Sequence, residues 1–293
     1  MEQEALTGVI EPKTVAVIGA SATPGKIGYS VVQNLVNDGF KGTIYPINPG
    51  VDEILGLKAY PSIADVPTNV DAAIITIPAK AVLSVIDDCG KKGVKGIIVI
   101  TSGFSETGNR ELEQELVSKA HANGIRVLGP NIIGVLSNSA SFNGSFAPFL
   151  PYSGKGALIS QSGALLIALD AATYTRRVGF EKLISIGNMA DIDFADLIEW
   201  LDKDPNTSCI SLYIEGFKNG RSFMEVAQKT SKPIVALKAG VSEHGAAAAA
   251  SHTGSLAGAA KVYGAAFQQS GVIQASDLNN LFDRTLALSL QPP

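Results

Sequence analysis

The chain has 293 residues, 46% hydrophobic and 17% charged, with Lys plus Arg 23 against Asp plus Glu 27 and a formal charge of −4. That length and apolar content suit two packed cores and exclude a disordered chain. A weakly acidic chain without basic runs is a poor nucleic-acid binder, because that affinity rests on neutralising phosphates.

The first 13 residues carry Glu2, Glu4 and Glu11 and no apolar run, so no secretory signal is read there. Short β-branched runs then alternate with helical stretches. Strands are expected over 14–18, 43–47, 73–77, 96–101 and 126–128, and helices over 28–37, 79–92 and 109–123. Strands that are continuously apolar suit a parallel sheet covered on both faces. Residues 129–153 lapse into Gly, Asn, Ser and Pro and read as an interdomain connection. The uncharged stretch 127–154 is broken by Gly129, Pro130, Gly134, Pro148 and Pro151, which argues against a membrane span. Alternation resumes with strands over 157–160, 182–186, 209–213, 234–238 and 272–274. Helices are expected over 163–176, 194–203, 222–229, 255–269 and 276–288. The pattern predicts two consecutive doubly wound α/β domains in a soluble, cytoplasmic protein.

Cys89 and Cys209 cannot form a disulfide framework and are read as core residues. His121, His244 and His252 lack metal-site spacing, so no metal site is expected. His121 is read as lying on a solvated helix end, His244 as a weak second candidate for chemistry, and Met189 and Trp200 as packing residues.

Directly after the first strand come Gly19, Ala20, Ser21, Gly25, Lys26, Ile27 and Gly28. Strand, glycine turn and helix is where pyrophosphates dock on backbone N–H groups. Ser21 breaks the G-x-G-x-x-G pattern, and Ile27 together with the Gly19–Gly25 spacing breaks the P-loop pattern. The segment reads either as a phosphate loop or as a plain β/α turn. Ser160, Gln161, Ser162 and Gly163 repeat the geometry, either as a helix cap or as a phosphate site. Ser160 and Ala164 stand where a G-x-S-x-G nucleophile elbow needs glycines.

His252 lies in an uncharged small-residue segment, preceded by five alanines at 246–250. That stretch reads either as a helix N-terminus or as a loop that brings an imidazole nucleophile to a bulky phosphoryl donor. Such a histidine needs a partner on its other ring nitrogen. Glu215, at the end of a predicted strand, stands where ligands bind in open α/β sheets.

Together these pieces resemble the α subunit of NDP-forming acyl-CoA synthetases, including ADP-forming acetyl-CoA synthetase; succinyl-CoA synthetase α subunits are more distant relatives. The resemblance covers essentially the whole chain and is most specific at Ala250, Ser251, His252, Thr253, Gly254 and Ser255. It implies a Rossmann-like CoA-binding domain over 1–136 and a flavodoxin-like ligase domain over 152–293. CoA would lie over Gly19, Ala20, Ser21, Lys26 and Gly28. Asn48, Pro49, Ile77, Pro78, Thr101, Ser102 and Gly103 would line the rest of that site, and Asn131 would stand at the 129–131 crossing. His252 would be phosphorylated, with Glu215 on its other nitrogen and Ser160, Gln161, Ser162 and Gly163 on the phosphoryl oxygens. ADP or ATP with Mg²⁺ would be held mainly by a nucleotide-grasping β subunit in an α₂β₂ assembly, and a small carboxylic acid would exchange its acyl group with CoA.

Two departures matter. Succinate-specific relatives usually read Gly-His-Ala-Gly-Ala at the histidine and carry Tyr where this chain has Ile167, which disfavours succinate. Many ADP-forming relatives continue into a third α/β domain, so the chain reads as a short α subunit or a fragment. A CoA-binding or CoA-sensing module without turnover is the main alternative. A nicotinamide-dependent dehydrogenase rests only on the first β-turn-α and is opposed by Ser21.

Overall fold

The computed structural model describes residues 2–240 and 260–291. The expectations for His244, for residues 245–250 and for His252 therefore lie outside the described residues. By its contacts the chain divides into two units, Met1–Leu150 with Ser185–Ile192, and Pro151–Ile184 with Asp193–Pro293.

The first unit opens with helix α1 (Glu2–Ile10), an element the sequence reading did not anticipate. Its Ala5, Leu6, Val9 and Ile10 are buried, the spacing of one helical face. Strands β1 (Thr14–Ile18) and β2 (Thr43–Ile47) flank helix α2 (Ile27–Asn37). A small antiparallel pair, β3 (Glu53–Ile54) with β4 (Leu57–Lys58), follows. Then come β5 (Ala72–Ile75), α3 (Ala79–Lys91), β6 (Gly96–Val99), α4 (Arg110–Ala122) and β7 (Arg126–Leu128). The main sheet runs β2-β1-β5-β6-β7, and its pairings are parallel. All four residues of β5 and of β6 are buried, as expected of strands covered on both faces.

The stretch 129–153 is more than a connection. It contains strands β8 (Gly134–Ser137) and β9 (Phe142–Ser145), an antiparallel pair in which every residue is buried. Their Ser and Asn residues conceal the strand pattern because they are buried through hydrogen bonds. Asn143 Nδ2 donates to Asp38 at 2.8 Å, and Ser145 Oγ donates to Asn143 Oδ1 at 2.6 Å. Asn34 Nδ2 donates to the Ser145 and Ala147 carbonyls at 2.9 and 2.6 Å.

The segment Ser185–Ile192 also belongs to this unit. Asp191 accepts from Arg126 Nε at 2.9 Å and from the Val127 N–H at 2.7 Å. His121 Nε2 lies 3.0 Å from the same carboxylate; its ring is half exposed but tied down.

In the second unit, β10 (Ser153–Ser160), α5 (Gly163–Arg176), β11 (Phe180–Ser185) and α6 (Phe194–Lys203) are followed by β12 (Cys209–Ile214), α7 (Gly220–Lys229) and β13 (Ile234–Lys238). Helix Ala260–Gln269, the short β14 (Ile273–Gln274) and helix Leu278–Leu290 complete it. Its strands run β14-β13-β12-β10-β11. Helix α6 starts at a capping box in which Asp193 accepts from the Ala195 and Asp196 N–H groups. Below it, fully buried Lys182 donates to Asp204 at 2.8 Å, and its ammonium lies 5.5 Å from the centroid of the Trp200 ring.

Both sheets share one order. Numbering the parallel strands of each unit from its own start gives 2-1-3-4-5, which places a switch point between the first and third strands. Ligands in open α/β sheets bind outside the carboxyl ends of the strands at that point. Among the described residues, no helix is long and apolar enough to cross a membrane.

Candidate functional site

At the first switch point the chain leaves β1 through Gly19 in the left-handed region (φ +93°). A Cβ at Gly19 would stand 2.7 Å from Thr76 Oγ1, and one at Gly28 would stand 2.0 Å from the Gly19 carbonyl oxygen. The loop and the start of α2 are thus packed at a distance only glycine permits. Lys26 is the N-cap of α2 and contributes no side-chain cap, and the first turn holds no acidic residue. The helix therefore presents an uncapped, positive N-terminus. Asn48 braces the loop: its Nδ2 donates to the Ala20 carbonyl at 2.7 Å, while its Oδ1 accepts from the Gly50 N–H at 2.7 Å. Ser21 Oγ accepts from the Thr23 N–H at 3.0 Å.

These elements enclose a cavity of about 700 Å³, lined by Gly19, Ala20, Ser21, Lys26, Gly28, Asn48, Pro49 and Ile77 among the residues singled out from sequence. Its wall also includes Ser62, Thr76, Val85 and Asp88, which sequence reasoning missed. Thr76 follows directly on β5 and could have been found from the strand-end rule. Ser62 caps a short turn, and nothing in its local sequence points to a cavity.

Pro78, Thr101, Ser102, Gly103 and Asn131 do not line that cavity. Three of these loops are nevertheless joined behind it. Thr101 Oγ1 donates to the Ile77 carbonyl at 2.7 Å, and the Asn131 N–H donates to the Thr101 carbonyl at 3.0 Å. Asn131 adopts φ +62°, a conformation asparagine tolerates, and its amide reaches Asn188 at 3.3 Å. Asn188 Nδ2 in turn donates to Glu106 at 2.6 Å and to Glu113 at 2.8 Å. Burial pushes the Glu106 carboxyl upward, but bonds from Asn188 and from the Gly103 and Phe104 N–H groups leave it below the ordinary range. Pro78 is the exposed N-cap of α3, and Ser102 is exposed.

At the second switch point Ser160 pairs in register with Tyr213 on β12. Ser160 is buried; its Oγ donates to the Ser162 carbonyl at 2.9 Å and accepts the Ser162 N–H at 3.1 Å. Ser162 is the N-cap of α5, accepting from the Leu165 N–H at 3.3 Å. Gln161 reaches across to β12: its N–H donates to the Tyr213 carbonyl at 3.2 Å, and its Oε1 accepts from the Glu215 and Gly216 N–H groups at 2.6 and 3.0 Å. The four residues at 160–163 and Glu215 are therefore one cluster. Glu215 adds to burial in raising the Tyr213 hydroxyl. Among the described residues, no group of three or more His, Cys, Asp or Glu could hold a metal ion.

Residues 13–138 match the CoA binding domain family, and residues 153–288 match the succinyl-CoA ligase like flavodoxin domain. The α subunit of ADP-forming acetate–CoA ligase I of Pyrococcus furiosus is 52% identical over 295 residues, covering 98% of this chain and 64% of that relative. The chain is a CoA-binding domain followed by a succinyl-CoA ligase like flavodoxin domain. Also similar is the ADP-forming 4-hydroxybutyrate–CoA ligase of Nitrosopumilus maritimus, 40% identical over 97% of this chain and 42% of that protein. The dinucleotide-forming acetyl-coenzyme A synthetase 1 of Candidatus Korarchaeum cryptofilum, solved in complex with phosphate and ADP, superposes with a TM-score of 0.95. It is 52% identical and covers 99% of this chain and 63% of that one. The chain thus spans less than two thirds of the length of these ligase relatives.

Proposed function

We propose that this chain carries the CoA-binding and phosphohistidine portions of an NDP-forming acyl-CoA ligase, acting on a small carboxylic acid in a cytoplasmic setting. Phosphate attacks the acyl carbon of an acyl-CoA and expels CoA as the thiol, leaving an acyl phosphate. His252 nitrogen then attacks the phosphorus and releases the carboxylate. The phosphohistidine passes its phosphoryl group to ADP, giving ATP and free His252. ADP or ATP with Mg²⁺ is held mainly by a nucleotide-grasping β subunit, in an α₂β₂ assembly.

The observation that carries this reading is the pair of switch points. The first offers an uncapped helix N-terminus and glycine-tight backbone over a cavity of about 700 Å³, chemistry suited to the pyrophosphate of CoA. The second joins the Ser160–Gly163 turn to Glu215 through Gln161. One helix end stabilises an anion by about 0.3–1 kcal/mol when exposed, so several N–H and hydroxyl donors are needed together.

Labelled ATP and Mg²⁺, given to the chain with its nucleotide-binding partner, should leave an acid-labile, alkali-stable label on the wild type and none on His252→Ala. Tight CoA binding without label, beside a partner shown to be active, would replace this reading with a CoA-binding module that does not turn over.

A further inference from the structure

Strand β13 ends at Lys238, in register with Ile214 on β12, and the Ala239 N–H donates to the Ile214 carbonyl at 2.8 Å. Lys238 therefore stands one strand over from Glu215, at the carboxyl edge of the sheet. Although charged, it is only 5% exposed. Its ammonium donates to the Ala239 carbonyl and lies 4.7 Å from the centroid of the Tyr263 ring, on helix Ala260–Gln269. Tyr263 stacks at 5.8 Å on Phe217, two residues beyond Glu215, and Phe217 packs 4.4 Å from Phe223. One aromatic stack thus links the loop that carries Glu215 to the ring on which Lys238 rests.

A buried ammonium is costly unless its charge is compensated. A carbonyl and a ring face compensate it in part, and an anion does so fully. We propose that Lys238 is a positioning residue: seated on Tyr263, its ammonium is the countercharge that holds the Glu215 carboxylate ionised and in place at the end of β12. Burial pulls Lys238 below the ordinary lysine range, and the Glu215 charge pulls it back up. Among the described residues, Tyr213 on β12 feels the Glu215 charge, Lys218 follows Glu215 on the same loop, and Tyr263 lies against Lys238. The role in catalysis rests on the reading that Glu215 holds the second nitrogen of His252. An ionised carboxylate accepts that N–H through either oxygen, whereas a protonated one carries a competing donor.

The test is the titration of Glu215, followed by ¹³C NMR of carboxyl-labelled chain and assigned with Glu215→Gln. Lys238→Met keeps the stem over the ring and should raise the Glu215 midpoint by about one pH unit, a tenfold change in its ionisation equilibrium. Lys238→Arg should restore it. Coupling is reciprocal, so Glu215→Gln should lower the Lys238 ammonium midpoint by the same amount, a measurement that stands even if Lys238→Met does not fold. In the labelling assay the acid limb of His252 phosphorylation should move upward with Lys238→Met. Unmoved midpoints in both directions would overturn the proposal. Absence of label on wild-type His252 would instead overturn the phosphohistidine reading, with the two midpoints still deciding whether Lys238 and Glu215 are a pair.

Discussion

Gln161 Oε1 accepts two consecutive N–H groups, those of Glu215 at 2.6 Å and Gly216 at 3.0 Å. A side chain on the turn after β10 thereby sets the backbone after β12, so the two halves of the cluster at the second switch point share one oxygen. Replacing Gln161 by Leu leaves both N–H groups without that acceptor. We expect a loss of about 1–3 kcal/mol in urea unfolding together with slower labelling of His252. Labelling at the wild-type rate in a Gln161→Leu chain of unchanged stability would refute this coupling.

The glycine positions over the first cavity separate crowding from backbone strain. Gly28→Ala puts a Cβ 2.0 Å from a carbonyl oxygen, whereas Gly25 has nothing within 4 Å but sits at φ +83°. Gly25→Ala should cost about 1–2 kcal/mol through backbone strain alone. Gly28→Ala should cost at least the 1–3 kcal/mol typical of overpacking and should weaken CoA binding in calorimetry more than Gly25→Ala does.

Burial pushes both thiols, Cys89 and Cys209, up to about 12. The thiolate is the reactive form, so neither should react with a disulfide reagent in the folded chain at pH 8, and both should react once urea unfolds it. Rapid labelling of either thiol without unfolding would contradict the burial.

Asp204 gives the acid dependence. Burial pushes its carboxyl upward, but the bonds from Lys182 and Thr207 leave it below the ordinary range. A depressed folded value stabilises the protein above the unfolded carboxylate value of about 3.9. That contribution disappears as pH falls through the lower folded value. Asp204→Asn should therefore flatten the loss of stability below pH 4. At pH 7 it should cost about 3–5 kcal/mol, the usual penalty for breaking a buried pair. Lys182→Met should cost less, because the Asp204 carboxylate keeps its bonds from the Asn206 N–H and the Thr207 hydroxyl.

The parallel strands were legible because their apolar runs are continuous. The strands at 14–18, 43–47, 126–128 and 234–238 and the helices at 163–176 and 194–203 have the bounds their sequence predicts. What stayed hidden was structure whose burial is polar. Asn143 and Ser145 lie in a strand that looks like a linker until Asn34 and Asp38, more than a hundred residues away, supply hydrogen bonds. Helix α1 was read only for the absence of a secretory run. Gly19, Ser21 and Asn48 could be placed on the first cavity because strand ends can be counted along the chain. Val85 and Asp88 could not, because they reach it only once α3 has packed.

Asp191 lies beyond four strands and a helix that follow the first sheet in the chain, yet its carboxylate holds Arg126 and the Val127 N–H in that sheet's last strand. The amino-terminal unit is therefore not finished when its own consecutive residues have been made. On the ribosome, where domains close in order of synthesis, β7 must wait for Asp191 to emerge, so completing the first fold depends on beginning the second.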